Sequence, residues 1–191
     1  FKYKIWIAVI VNILLLFSFK IDDSSFLVPI GVSFFTFQGL SFVFDYSGKS
    51  KIQLLNFANY MAFFPQLIAG PIESFHHLGP QLNSLKCIQK KNVFPGIFMI
   101  LKGLVIKFVI ANRCGIIVGS FYNEILNFDG WFLLIANFLF TIQILFDFSG
   151  YCLIAMGIAK IVGISLSENF LSPYKSKSLS DFWKRWHVTL H

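Results

Sequence analysis

Asp147 is the first residue that asks for a chemical reading. It sits in Gln143-Ile144-Leu145-Phe146-Asp147-Phe148-Ser149-Gly150-Tyr151, a carboxylate between apolar runs. A charge in such a setting faces a protein interior or a wet path rather than hydrocarbon. Gln143 and Tyr151 lie four residues to either side, so on a helix all three share one face. Two readings stand for this stripe: a hydrogen-bonded clamp between helices, or the lining of a pathway. His187 is the second. It closes the run Ser178-Leu179-Ser180-Asp181-Phe182-Trp183-Lys184-Arg185-Trp186-His187, and an imidazole takes and gives a proton near neutral pH.

Other residues that could do chemistry read more plainly. Lys102 and Lys107 interrupt an apolar run. Five residues apart, they do not share a helix face closely, and each is expected to snorkel to an interface; an ion pair with Asp147 is the alternative. His76-His77 lie near Glu73 and read as a surface or interface pair. Adjacent histidines are a poor metal site. His191 follows His187 by four, but no third ligand is visible, so no metal is expected. Cys87, Cys114 and Cys152 are scattered without a CxxC pair and read as small apolar residues. There is no glycine-rich phosphate loop, serine elbow or paired-carboxylate signature.

The elements that must carry these residues are apolar. Ile5 to Phe19 and Phe26 to Phe44 are uncharged runs, and each predicts a helix of spanning character. Ile52 to Ile72 is uncharged too, but it carries Gln53, Asn56, Asn59 and Gln66 and is interrupted by Pro65 and Gly70-Pro71. Proline removes a backbone donor and clashes with the preceding turn. In lipid the freed groups need partners inside protein or in a wet cavity, so this segment predicts a short, broken or re-entrant helix pair. Val93 to Ala111 is a fourth run, followed by a loop over 112–129. Gly130 to Ala159 is long for one span and short for two, with Gly150 and Gly157 allowing a bend or a close helix contact. Ser178 or Ser180 caps a final helix, with Asp181 in its first turn. Phe182, Trp183 and Trp186 on one side and Lys184 and Arg185 beside them make it an interfacial amphipathic helix.

Composition agrees. Of 191 residues, 56% are hydrophobic and 13% charged, against about 25% charged in an ordinary soluble domain; mean hydropathy is +0.70. Disordered, collagen-like and disulfide-scaffold classes are excluded. The expected fold is all-α, a polytopic integral membrane domain over 1–191. The net charge of +7 reads as orientation rather than nucleic-acid binding. Basic residues collect in 1–4, 45–51, 73–92 and 160–191, which the positive-inside rule puts in the cytoplasm if 52–72 does not cross. The chain begins at Phe1 and stops inside a segment with no sign of ending. It therefore reads as an internal part of a longer protein, and no signal peptide is expected.

Four stretches together resemble the membrane-bound O-acyltransferase family, and within it the bacterial alginate O-acetylase branch. They are Pro29 to Gln38 with Asp45; Phe63-Phe64-Pro65-Gln66-Leu67-Ile68-Ala69-Gly70-Pro71-Ile72 with Pro80-Gln81-Leu82; Gln143 to Tyr151; and Glu168-Asn169-Phe170, Pro173-Tyr174 and Phe182 to His187. Gly103 to Asn112 adds a weaker match. The resemblance implies a multi-pass enzyme of the bacterial inner (cytoplasmic) membrane that moves an acetyl group across the bilayer. Its donor would be acetyl-CoA in the cytoplasm, with no resident cofactor. Its acceptor would be a cell-surface or secreted polysaccharide, reached through a periplasmic polysaccharide acetyltransferase partner. The family's Trp-His pair falls on Trp186-His187 and implies a catalytic role for His187. Gln143, Asp147, Tyr151 and Trp186 would line the substrate tunnel. The family's second histidine would fall beyond His191, so the chain by itself is expected to be catalytically incomplete. His191 stands where a small polar residue is expected. Alternatives are D-alanyl transfer to teichoic acid, made by a sister branch, and a non-enzymatic channel or transporter subunit.

Overall fold

The computed structural model describes residues 2–21, 31–45, 53–67, 70–84, 88–124 and 128–190. Pro29, Ile30, Ile68, Ala69, Cys87 and His191, and the basic cluster at 49–51, lie outside them. The described residues are helical, with no strand beyond one isolated bridge pairing Phe170 with Trp186. The order is α1 (Lys2–Ile21), α2 (Val32–Asp45), α3 (Leu54–Met61), α4 (Phe64–Leu67), α5 (Phe75–Asn83), α6 (Lys90–Val105), α7 (Asn112–Asn123), α8 (Gly130–Ile161) and α9 (Leu179–Arg185). A π-helical turn, Ile106–Ala111, joins α6 to α7 without a break.

α8 resolves the ambiguity over 130–159. It is one unbroken helix of 32 residues, about 48 Å long at 1.5 Å per residue, and does not fold back on itself. Its glycines are contact points rather than bends. A Cβ on Gly157 would stand 2.6 Å from the Gly96 carbonyl oxygen, and one on Gly103 would stand 2.7 Å from the Gly150 oxygen. The two pairs have the same seven-residue spacing on each helix, so α6 and α8 run antiparallel with backbones in close approach. At its end α8 stops in a Schellman motif. Gly163 takes φ +90°, the Ile164 N–H donates to the Ala159 carbonyl at 2.9 Å and the Gly163 N–H to Lys160 at 3.0 Å.

The 112–129 loop is a correction. The helix continues through Asn112 and Arg113 to Asn123, because one arginine amid Cys114, Ile116, Ile117 and Val118 is too little to stop it. The 34-residue rod Lys90–Asn123 and α8 are both long and apolar enough to cross a bilayer. Only 11% and 6% of their most apolar stretches are buried inside the molecule, the reverse of a soluble core helix, so their apolar side chains face outward.

The 52–72 segment is broken as expected, but at Ala62-Phe63. Pro65 lies in the first turn of α4, where its missing donor is not needed. Buried amides repair the break. Gln38 Nε2 donates to the Tyr60 carbonyl at 2.6 Å and to Gln66 Oε1 at 3.0 Å, and Gln66 Nε2 donates to the Pro71 carbonyl at 2.8 Å. Around them Tyr60, Met61, Phe63, Leu78, Ala159, Ile164 and Leu166 form the core cluster.

Candidate active site

The segment after α8 is held from the α5 side. Ser74 caps α5 by accepting from the His77 N–H at 3.3 Å. One turn on, Gln81 Nε2 donates to the Ser165 carbonyl at 3.1 Å while its Oε1 accepts from the Ser165 N–H at 2.8 Å. Glu73 is 3% exposed. Its carboxylate accepts from His77 Nδ1 at 2.6 Å, from Ser167 Oγ at 3.2 Å and from the Ser167 backbone N–H, and Tyr60 Oη donates to the Glu73 carbonyl at 2.7 Å. Glu73 and His77 thus act as a brace, which their sequence context did not reveal.

Strung from that brace, 169–171 runs antiparallel to 185–188. The Leu171 N–H donates to the Arg185 carbonyl and the Val188 N–H to the Asn169 carbonyl, both at 3.0 Å. α9 begins at Ser178, whose hydroxyl accepts from the Asp181 N–H at 3.1 Å. Asp181 accepts from Arg185 Nε at 2.8 Å; that guanidinium, and next the Lys177 N–H, hold its carboxyl below the ordinary value. The helix is shorter than its aromatic pattern implies. It stops at Arg185, and Trp186 is extended, so Trp186 and His187 lie beyond α9 and His187 has no helical i+4 face to share. Trp186 stacks on Phe182 at 5.6 Å and meets Phe170 edge-on at 5.1 Å. Trp183 stays 52% exposed, with Leu179 and Tyr174 also exposed, as an interfacial face requires.

His187 takes φ +52°, a left-handed conformation uncommon for a residue with a Cβ. It is 8% exposed, with Phe148 at 5.0 Å and Phe170 at 6.4 Å between ring centroids. Its Nδ1 is buried without a hydrogen-bond partner among the described residues. An orphan polar atom of this kind costs about 1–3 kcal/mol and asks for a reason. Burial pulls the imidazole below its ordinary value, and its own backbone opposes this more weakly. Burial thus favours the neutral ring, whose unprotonated nitrogen can accept a proton.

Gln143, Asp147 and Tyr151 do share a face of α8, and the π-turn supplies a partner for Asp147 and Tyr151. Lys107 Nζ donates to Asp147 Oδ1 at 2.5 Å and lies 3.7 Å from the Tyr151 ring centre. The Lys107 side chain is 14% exposed, so it pairs inward instead of snorkelling. The Asp147 carboxylate lies within the reach of its side chain and neutralises it there. Gln143 packs against Gly115 and keeps a buried Oε1 without a partner among the described residues.

A cavity of about 370 Å³ opens between α6, α8 and the 168–173 segment, lined by Lys102, Ser149, Cys152, Glu168, Asn169 and Phe170 among others. Gln143, Asp147, Tyr151, Trp186 and His187 are not among its lining residues. Asn169 and Phe170 are shared between the cavity wall and the His187 turn. Reasoning from sequence missed Lys102 as a cavity residue, and Asn169 and Thr189 as supports. The signal was present in Glu168-Asn169-Phe170, a polar pair in an apolar setting.

Described residues that are helical throughout their long elements, with outward-facing apolar helices and a buried histidine turn, fit a membrane-embedded protein. Residues 47–191 match the MBOAT, membrane-bound O-acyltransferase family, and the chain belongs to that family. It is 36% identical to the probable alginate O-acetylase AlgI of Pseudomonas aeruginosa, across 86% of this chain and 32% of that protein. It is 29% identical to the peptidoglycan O-acetyltransferase of Helicobacter pylori, across 100% of this chain and 41% of that protein. It is 28% identical to the teichoic acid D-alanyltransferase of Bacillus subtilis, across 84% and 42%. The chain thus spans about a third of the length of the alginate O-acetylases it matches.

Proposed function

We propose that this chain is the part of a multi-pass inner-membrane O-acyltransferase that holds one catalytic histidine, and that 1–191 forms a single membrane domain within the larger enzyme. The acyl group is acetyl, delivered as acetyl-CoA from the cytoplasm. It leaves for a cell-surface or secreted polysaccharide through a periplasmic acetyltransferase partner. One observation carries this reading: a buried imidazole whose Nδ1 has no partner among the described residues, held in a left-handed turn.

His187 accepts the proton of the incoming hydroxyl as its oxygen attacks the thioester carbonyl. The carbon–sulfur bond then breaks, and the thiolate leaves and is protonated. The cavity beside Asn169 and Phe170 is the proposed donor chamber, with the cation Lys102 in its wall. The Lys107–Asp147–Tyr151 stripe holds the rod to α8 and borders the path.

Replacing His187 by Ala in the protein as it occurs in its membrane abolishes O-acetylation of the isolated polysaccharide, with protein level unchanged. Normal acetate release by mild alkali from that polysaccharide overturns the assignment. Similarity to the teichoic acid D-alanyltransferase supports a second reading, D-alanyl transfer. There, alkali releases D-alanine instead of acetate, and a carrier-protein gene lies beside this one. Family membership favours either transferase over a channel subunit.

A further inference from the structure

His187 holds an unfavourable backbone conformation, and the groups that stabilise it lie on the carboxyl-terminal side of the turn. Thr189 is the hub. Its Oγ1 donates to Asn169 Oδ1 at 3.0 Å and accepts from the Ile72 N–H at 3.2 Å, and the Thr189 N–H reaches the same Asn169 Oδ1 at 3.3 Å. Asn169 is 2% exposed. Its carbonyl accepts from the Val188 N–H at 3.0 Å, and its Nδ2 lies 3.7 Å from Cys152 Sγ on α8. Both residues after His187 are thus tied to one asparagine, which is anchored on the transmembrane-length helix.

Ile72 is the second anchor. It lies between Pro71, whose carbonyl accepts from Gln66, and Glu73, whose carboxylate is braced by His77 and Ser167. The Ile72 N–H therefore points from a fixed place. A threonine hydroxyl has one proton and two lone pairs; here the proton goes to Asn169 and a lone pair to Ile72. Each partner determines the orientation of the other bond, so the relay has one arrangement.

We propose that Asn169 and Thr189 are positioning residues that lock the left-handed turn at His187 and aim its imidazole, through a hydrogen-bonded relay running from Ile72 to Asn169. This rests on the reading of His187 as the base. The relay does not touch the reacting atoms; it narrows the angular range of the ring.

The test compares Thr189→Val, Thr189→Ser and His187→Ala in the whole enzyme in native membranes. Acyl transfer is followed with acetyl-CoA as varied donor, at matched protein level. Valine keeps the shape and removes the hydroxyl; serine keeps the hydroxyl. Loss of ring alignment lowers kcat by about tenfold or more with the KM for donor within twofold, and serine restores most of the lost turnover. Asn169→Ala gives the same kcat loss, and combining it with Thr189→Val adds little, because both cut one relay.

The proposal is overturned if Thr189→Val keeps kcat within twofold, if it raises KM while sparing kcat, or if serine fares no better than valine. His187→Ala separates the two claims. If it abolishes turnover while Thr189→Val is silent, the base reading stands and the relay falls. If His187→Ala retains turnover, the base reading falls and takes the relay's purpose with it.

Discussion

Two polar regions sit beside one another in this apolar molecule, and they treat their charge in opposite ways. Against one face of α8, Lys107 of the π-turn meets Asp147 and Tyr151: an ammonium, a carboxylate and a ring face within 4 Å. One residue on, Phe148 packs on His187, which has a polar atom with no partner among the described residues and a backbone angle that costs energy. Evolution of a stable bundle favours the first arrangement. The second persists only when surroundings over-determine it, and the Asn169–Thr189–Ile72 relay does that. A satisfied polar cluster binds helices together, whereas an unsatisfied one is free to bind something else.

That contrast makes predictions that rank by size. The largest concerns activity. His187→Ala removes at least ~100-fold of acyl transfer, the usual contribution of a positioned acid–base group, yet shifts the thermal midpoint in detergent less than a change at Lys107 does. An activity loss matched by an equal loss of folded protein would erase the contrast.

The next concerns stability. Lys107→Met leaves the 46%-exposed Asp147 side chain without its cation and destabilises the fold by ~1 kcal/mol, as losing a part-exposed ion pair does. Lys107→Met with Asp147→Leu together recovers most of that, because no charge is left alone. Thermal unfolding of single and double variants measures the coupling. Additive losses would mean that the pair is not the clamp described here.

The smallest concerns pH. Burial lowers the His187 pKa, so its neutral, proton-accepting form survives below the ordinary histidine value of about 6.5. The acid limb of the pH–rate profile therefore lies below that value. For the fold, the depressed value means that full stability is present above the unfolded-state pKa and is lost as pH falls from there through the lower folded-state pKa. A limb above 6.5 would mean that another group titrates.

Much of this was legible in the chain. The uncharged run 5–19 foretold α1, and the apolar run 130–159 foretold helix there without deciding between one crossing and two; Asp147 flanked at four-residue intervals foretold a shared face of α8; Trp186-His187 stood out as a histidine among aromatics. These readings work because burial from water and helical periodicity are local, additive properties of residues. Boundaries set by weak signals were less legible. Asn112-Arg113 did not end a helix, since propensity at two positions yields to packing of the whole rod. Pro65 did not break one, since proline is harmless in a first turn.

What the tertiary structure alone decided is pairwise. Lys107 could have reached an interface or Asp147, and only the π-turn and the Gly103–Gly150 approach bring it to the carboxylate. Glu73 and His77 looked like loop residues until 164–167 came to lie against them. Thr189 and Asn169 carry no signal of partnership across 20 residues. The sequence by itself determined which residues are apolar, which runs are helical and where a histidine lies among aromatics. Which polar atoms are satisfied, and which are left over, depends on contacts between segments distant in sequence, and those exist only once the chain has folded.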